Sequence, residues 1–276
     1  MDNFIGKNVL ITGGSSGIGL STAIRFAAEG ANVYILARTV EKLTQAAETI
    51  AQARQSPSQV VGTIVADVSD WDALSAALGP WIEHNGVPDV LVNSAGFVEP
   101  GRFDEQDIAL FRSMNDIDYY GTVYASRLVV PGMVQRGSGT IVNISSMLGI
   151  FPMYAYTAYC GSKYAVRGFT DALRAELKPS GVNVTLVFPW DTQTPQYEYE
   201  NQHKPQLVKE IWGEDGVMSA DSVAKDILKA VKNHRYVVTP GFEGTLVYML
   251  CHQFSFLVRP VIDFFIQRAW RKVHDA

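Results

Sequence analysis

Apolar residues fall along this chain in two alternating patterns. Short runs rich in β-branched residues, "KNVLIT", "ANVYILA", "QVVGTIVAD", "DVLVNSAG", "GTIVNISS" and "VNVTLVFP", are apolar on both faces. Each is followed by a longer segment of helical period, as in "SGIGLSTAIRFAAEG" and "SKYAVRGFTDALRAEL". Strands buried on both sides and separated by helices form βαβ units. The pattern therefore predicts an α/β fold, a doubly wound parallel sheet with helices on both faces. Ligands of such a sheet bind beyond the carboxyl ends of its strands, where the strand order reverses. The 276 residues carry no linker, repeat or charge run that would divide them, so a single domain is expected.

One segment breaks the alternation. "TLVYMLCHQFSFLVRPVIDFFIQRAW", Thr245 to Trp270, is nearly unbroken apolar sequence up to Leu257, and Arg259 and Pro260 then interrupt it. A spanning helix needs about 20 predominantly apolar residues, so this one is expected not to span. Residues 245–276 are read as a C-terminal helical extension to a domain of residues 1–244. The extension either lies in a membrane interface, as one amphipathic helix or two broken at Arg259-Pro260, or docks on the core or a dimer partner.

Charge and composition narrow the classes. A net charge of −5 argues against a nucleic-acid partner. From Arg259 onward, Arg259, Arg268, Arg271 and Lys272 outnumber Asp263 and Asp275, which gives an acidic chain a basic end suited to anionic lipid. Two cysteines, Cys160 and Cys251, and an N-terminus without a secretory pattern point to the cytoplasm, with peripheral contact to a membrane's cytosolic face. The histidines at 84, 203, 234, 252 and 274 show no ligand-like spacing, and no metal site is expected.

The first strand runs into "TGGSSGIG", with Gly13, Ser15, Ser16, Gly17, Ile18 and Gly19 at the turn into the first helix. Glycines there let the backbone turn tightly and approach a pyrophosphate, which meets the exposed N–H groups of the helix N-terminus. The end of the second strand selects the cofactor. An acidic residue would hold the ribose 2′-OH of NAD, whereas Arg accommodates the 2′-phosphate of NADP. "NVYILAR" offers Ala37 and Arg38, with no carboxylate before Glu41, so Arg38, with Ser15, favours NADP(H).

Tyr159 and Lys163 in "YCGSK" are four apart on a predicted helix and share a face. A tyrosine with a pKa of about 10 is a poor acid or base at neutral pH. A nearby ammonium is expected to lower it into a useful range. Ser146, at the end of the fifth strand, is placed to donate a hydrogen bond to the same substrate oxygen.

Taken together, "TGGSSGIG", "NSAG" from Asn93, Ser146 and "YCGSK" resemble the short-chain dehydrogenase/reductase family over residues 5 to 195. The resemblance implies a single-domain Rossmann fold, a homodimer or homotetramer, and hydride transfer between a nicotinamide and a carbonyl or secondary alcohol. It implies Ser146, Tyr159 and Lys163 as the catalytic set. Asp67 and Val68 would lie beside the adenine, Asn93, Ala95 and Gly96 at the cleft floor, and Pro189, Thr192 and Thr194 on the nicotinamide side.

Two positions depart from that pattern. Where the family carries an asparagine that holds a proton-relaying water, "IDYYG" places Asp118, whose charge should raise the pKa of Tyr159. Asn115, one turn earlier, is the alternative holder of the amide's role. The family's Pro-Gly after the sixth strand is here Pro189-Trp190.

"PWDTQTPQYEYENQHKP" and "YYGTVYASR" are similar to segments of one branch, the 3-ketodihydrosphingosine reductases. That similarity implies NADPH-dependent reduction of a lipid-like ketone, 3-ketodihydrosphingosine to dihydrosphingosine, and a substrate lid over about residues 190–218. Trp190, Tyr197, Tyr199 and Trp212 suit such a lid. The alternatives are a hydroxysteroid or retinoid dehydrogenase on the same scaffold and, from another class, a cofactor-binding regulatory or scaffold protein without turnover.

Overall fold

A computed structural model describes residues 3–212 and 216–274, with the side chains of Trp212 and His274 outside that description. Six strands follow the β-branched runs: β1 (Asn8–Thr12), β2 (Asn32–Ala37), β3 (Val61–Val65), β4 (Val90–Asn93), β5 (Gly139–Ile144) and β6 (Val182–Val187). Between them lie α1 (Gly17–Ala28), α2 (Val40–Gln52), α3 (Trp71–Asn85), α4 (Ile108–Met114), α5 (Gly121–Arg136) and α6 (Thr157–Leu177). Beyond β6 come β7 (Thr192–Gln193), α7 (Pro195–His203), α8 (Gln206–Trp212), β8 (Met218–Ser219), α9 (Ala220–Lys232), β9 (Val237–Val238), α10 (Phe242–Gln253) and α11 (Ser255–His274).

The main sheet is parallel, in the order β3-β2-β1-β4-β5-β6-β9. The chain passes from β3 at one edge back across the sheet to β4, so the order reverses between β1 and β4. A crevice opens there at the carboxyl ends, as a doubly wound Rossmann sheet requires. Two apolar layers hold it. One packs Phe26, Ile35 and Ile227 beneath α1, α2 and α9, and the other packs Leu10, Leu91, Val129 and Leu173 against α3, α5 and α6. The edge strand β9 is an addition to the sequence reading. Two residues, Val237 and Val238, are too short a run to show a period.

Between α4 and α5 the helix widens. Asn115–Tyr120 forms a π-helical turn, in which the N–H of Gly121 reaches back to the carbonyl of Asp116. The extra residue turns the helix locally, and such turns occur often at functional sites. At Gly121 the helix passes close to Val68, where a Cβ would lie 2.7 Å from Cγ2.

The segment expected to form a lid is held at both described ends, because β7 pairs in parallel with β8 through Thr192 and Met218. At the C-terminus the chain does not break at Arg259-Pro260 as expected. It turns at Phe254, between α10 and α11, through 116°, and Pro260 lies inside α11. Packing explains the position. Val247, Tyr248 and Cys251 of α10 and Val258 and Ile262 of α11 all lie on one cluster with Met147, Phe151, Leu186 and Phe188. Two helices serve one patch only if the chain folds back between them. No single helix among the described residues is long and apolar enough to cross a membrane.

Candidate active site

The crevice is a cavity of about 500 Å³, within the usual range for small-molecule sites. One end is the glycine-rich turn. Gly13 has φ +66°, and a Cβ on it would lie 2.7 Å from the backbone of Ala95, so this turn fits against the end of β4 only without side chains. Gly17, at φ +54°, would carry a Cβ 3.0 Å from Cγ2 of Thr194, which ties the turn to the start of the lid. Ser15, Ser16, Gly17 and Ile18 line the cavity just where α1 begins and its N–H groups are exposed. These residues fit a dinucleotide, because the backbone is bare where a pyrophosphate has to approach.

Arg38, Asp67 and Val68 line the cavity at the ends of β2 and β3. Arg38 Nη1 lies 3.7 Å from Asp67 Oδ2, and Asp67 Oδ1 accepts from the N–H and hydroxyl of Ser69 at 2.9 and 2.7 Å. Burial works against ionisation of Asp67, but the Ser69 bonds and Arg38 outweigh it and hold the carboxyl below its ordinary range. Thr39 and Lys42 join this end of the cavity. Lys42 was not singled out from the sequence, though it stands four residues after Arg38.

Two expected cofactor contacts lie behind the wall instead of on it. Asn93 is buried, and its amide donates to Asn143 Oδ1 at 2.8 Å and Ser126 Oγ at 3.1 Å. Asn143 in turn donates to Thr170 Oγ1 at 2.9 Å. Through these bonds Asn93 stitches β4, β5, α5 and α6 together. Gly19 is likewise buried, and a Cβ there would strike the carbonyl of Gly13. Ser94, Ala95 and Gly96 form the lining at this point.

Ser146, Tyr159 and Lys163 come together on the far wall. Ser146 follows β5 and caps a short 3₁₀ turn, its Oγ accepting from the N–H of Leu148 at 3.1 Å. Tyr159 and Lys163 share a face of α6, with Lys163 Nζ 5.4 Å from the phenol ring centroid. Asp118, brought inward by the π turn, lies behind them. Its Oδ2 is 3.8 Å from Lys163 Nζ and accepts from Ser162 Oγ at 2.6 Å, while its Oδ1 accepts from the N–H of Phe97 at 2.7 Å. Gly96 makes room, since a Cβ there would lie 3.3 Å from both Asp118 Oδ1 and Lys163 Nζ. The amide of Asn115 is spent on the carbonyl of Phe111 at 2.9 Å, which places Asp118, and not Asn115, beside the lysine.

The electrostatics correct one expectation. The phenol of Tyr159 is raised well above its ordinary pKa and not lowered. Burial is the main cause, the negative charge of Asp118 follows, then that of Glu200, and only a hydrogen bond with Ser146 pulls the other way. Asp118 itself is raised by burial, against the pull of Lys163, Ser162 and Phe97. With only 4% of Lys163 and 1% of Asp118 exposed, most of the ammonium's field is taken up by the nearer carboxylate.

The segment after β6 completes the other wall. Pro189, Trp190, Thr192, Thr194 and Tyr197 line the cavity, and Tyr199 holds α7 to the loop after β4 through Glu99 Oε2 at 2.6 Å. The Trp212 side chain lies outside the described residues. Three more lining residues, Tyr156, Glu200 and Lys204, escaped the sequence reading, although Glu200 and Lys204 stand at helical spacing in the acidic segment.

The arrangement offers a phosphate cradle, a cation for a second phosphate, and a phenol and a hydroxyl converging on one point. Comparison with known proteins agrees with it. Residues 7–205 match the family model described as short chain dehydrogenase. A 3-ketodihydrosphingosine reductase of Bos taurus is 38% identical over 89% of this chain and 73% of its own length. One from Dictyostelium discoideum is 31% identical over 97% of this chain and 90% of its own. Among solved structures, a short-chain dehydrogenase from Sphingobium yanoikuyae in complex with NADPH superposes with a TM-score of 0.76 at 26% identity, over 91% of this chain and 95% of that one.

Proposed function

From the premise that this chain belongs to the short-chain dehydrogenase family and is an oxidoreductase acting on CH–OH/C=O groups, we propose that it uses NADPH to reduce 3-ketodihydrosphingosine to dihydrosphingosine. The observation that carries the reading is the convergence of Ser146, Tyr159 and Lys163 on a cavity whose other end is a glycine cradle beside Arg38. The relatives' names support the substrate.

NADP(H) would be held by the Gly13–Gly19 turn, by Arg38 and Lys42 at the 2′-phosphate, by Val68, Ala95 and Gly96, and by Pro189, Thr192 and Thr194 on the lid side. When bound, its nicotinamide supplies the hydride for reduction. The chain's own residues handle the oxygen. Ser146 donates a hydrogen bond to the carbonyl and Tyr159 gives it a proton, a transfer that suits a phenol held protonated. Lys163, buried behind the ring, limits the cost of the phenolate that results. Incubation of the protein with NADPH and a panel of 3-ketodihydrosphingosine, a ketosteroid and retinal tests the reading. Turnover of the long-chain ketone is expected. Preference for the steroid or retinal would move the assignment to those dehydrogenases, and no turnover of any would leave a binding protein.

A second feature bears on where the reaction occurs. While one face of α10 and α11 packs on the core, the other exposes Leu246, Met249, Leu250, Phe256, Val261, Phe264 and Phe265. Exposed aromatic and aliphatic residues on adjoining helices, close to a basic end, suit the interface of an anionic bilayer. Glu243, in the first turn of α10, lines the cavity, so this face adjoins the substrate's entrance. The domain of residues 1–244 would then sit on the membrane through residues 245–276.

A further inference from the structure

Glu200 is a carboxylate lining the same cavity as Tyr159 that reduction of a ketone does not use. It sits on α7 with its side chain mostly buried, and Oε1 accepts from the hydroxyl of Tyr156 at 2.5 Å and lies 3.2 Å from Lys204 Nζ. Among the described residues no hydrogen bond engages Oε2. Lys204 also reaches Asp191 Oδ2 at 3.5 Å. Tyr156, Asp191, Glu200 and Lys204 all line the cavity.

The position is close to the chemistry. The ring of Tyr156 stands 6.4 Å from that of Tyr159, so Glu200 is one aromatic ring away from the phenol. Its negative charge is felt there, as one of the causes that raise the Tyr159 phenol. The charges do not cancel. Within this cluster Asp191 and Glu200 carry two negative charges against the one positive charge of Lys204, whereas Lys163 is matched by Asp118. Burial raises the carboxyl of Glu200, which is the mark of an anion short of solvation. A surplus negative charge in a half-enclosed cavity calls for a cation from the ligand.

The substrate proposed above supplies one. In 3-ketodihydrosphingosine the amine is on the carbon next to the ketone, so its nitrogen lies about 2.5 Å from the carbonyl carbon. A ketone whose oxygen meets Ser146 and Tyr159 must place that ammonium within a few ångströms of the reacting atoms. We infer that Glu200, with Asp191, forms the subsite for an ammonium adjacent to the reacting carbonyl, and that it is the residue selecting amino ketones over plain long-chain ketones. This rests on the substrate reading above. The charged pair forms a strong hydrogen bond only in a substrate that carries the amine, while an amine-free ketone leaves the carboxylate unmatched.

The test compares 3-ketodihydrosphingosine with a ketone of the same chain length lacking the amine, both with NADPH, in the intact protein and in Glu200→Gln and Lys204→Gln. The intact protein should favour the amino ketone in kcat/KM. Glu200→Gln should cut that preference at least tenfold, with the loss mainly in KM. Lys204→Gln, which removes the competing cation, should increase the preference. Binding of dihydrosphingosine and of its N-acetyl derivative to the NADP-loaded protein, measured by calorimetry, should show the same discrimination without turnover. Equal losses on both ketones in both variants would make the cluster a brace for the lid and overturn the subsite. Equal use of both ketones by the intact protein would also overturn it, with the ketone-reductase reading still standing. If neither ketone is reduced, the substrate reading fails and takes the subsite with it.

Discussion

The carboxylate of Asp118 faces the ammonium of Lys163 across 3.8 Å, with both side chains almost fully buried. The pair acts on Tyr159, whose ring centroid lies 5.4 Å from Lys163 Nζ. Its phenol receives the penalty of burial and the added repulsion of Asp118, and Asp118 takes up most, though not all, of the field of Lys163. A phenol in this state is a weaker acid than usual, but at neutral pH it is present in the protonated form that reduction needs and hardly at all as the phenolate that oxidation needs. The site is therefore biased towards reduction of a ketone and against oxidation of an alcohol at neutral pH.

Asp118→Asn tests that bias. The amide fits the same partners: its oxygen can accept from the N–H of Phe97 and its NH₂ can donate to Ser162 Oγ, which then donates to the carbonyl of Tyr159, 2.9 Å away. Removing the negative charge stabilises the phenolate and lowers the pKa of Tyr159. The rise of alcohol oxidation with pH, and the fall of ketone reduction, should both move to lower pH. Measured pH–rate profiles that coincide for the two proteins would mean that Asp118 already carries a proton in the native enzyme.

Tyr159→Phe removes the proton donor while leaving the ring that packs by Tyr156 and Lys163. Turnover should fall by roughly a hundredfold or more, the usual worth of a general acid, with NADPH affinity little changed. Single-turnover rates and NADPH fluorescence titration measure the two quantities separately. Near-normal turnover would remove Tyr159 from the proton transfer.

Arg38→Ala deletes the cation at the ribose end of the cavity and frees Asp67, its partner at 3.7 Å. Both changes disfavour a 2′-phosphate. The preference for NADPH over NADH, as a ratio of kcat/KM values, should drop more than tenfold, about 1.4 kcal/mol. An unchanged ratio would shift the phosphate contact to Lys42, which Lys42→Ala would then reveal.

What the sequence displayed, and what it withheld, follows from how local each signal is. The sheet was legible because each long strand is apolar on both faces and the turn after β1 requires glycine for steric reasons, as Gly13 against Ala95 demonstrates. Ser146, Tyr159 and Lys163 were singled out through the resemblance of the whole motif set, since a Tyr and a Lys four apart are common on helices, and the fold brings all three to one cavity wall. Spacing put Asn93 at a strand end without saying which way it faces, and the amide nitrogen turns to Ser126 and Asn143. The π turn that turns Asp118 inward depends on a six-residue change in hydrogen-bond pattern, for which side-chain periodicity gives no sign. The Glu200 cluster draws Tyr156, Asp191 and Lys204 from separate elements, and the break at Phe254 is dictated by a patch formed by Met147, Leu186 and Phe188, far away in sequence. Neither is visible from local pattern.

The C-terminal helices require a different test from deletion, because the same elements that present an apolar face also cover the core. Removing residues 245–276 would uncover Phe151, Leu186 and Phe188, and the loss of activity that followed would say nothing about lipid. The exposed face can be changed alone. Phe256 is 71% exposed and Phe264 62% exposed, and the residues that dock α11, Val258 and Ile262, are distinct from them. A double substitution, Phe256→Asp with Phe264→Asp, therefore removes apolar area and adds two negative charges without opening the core, and its melting temperature should stay close to that of the parent. Sedimentation with vesicles containing anionic lipid at low salt should fall steeply, since both the burial term and the attraction to the basic end are weakened. Activity on a long-chain ketone presented in those vesicles should fall with it, while activity on a short soluble ketone should persist. Undiminished vesicle binding, or an intact protein that fails to sediment with vesicles, would return this face to the surface of a protein that meets its substrate in solution or through another copy of itself.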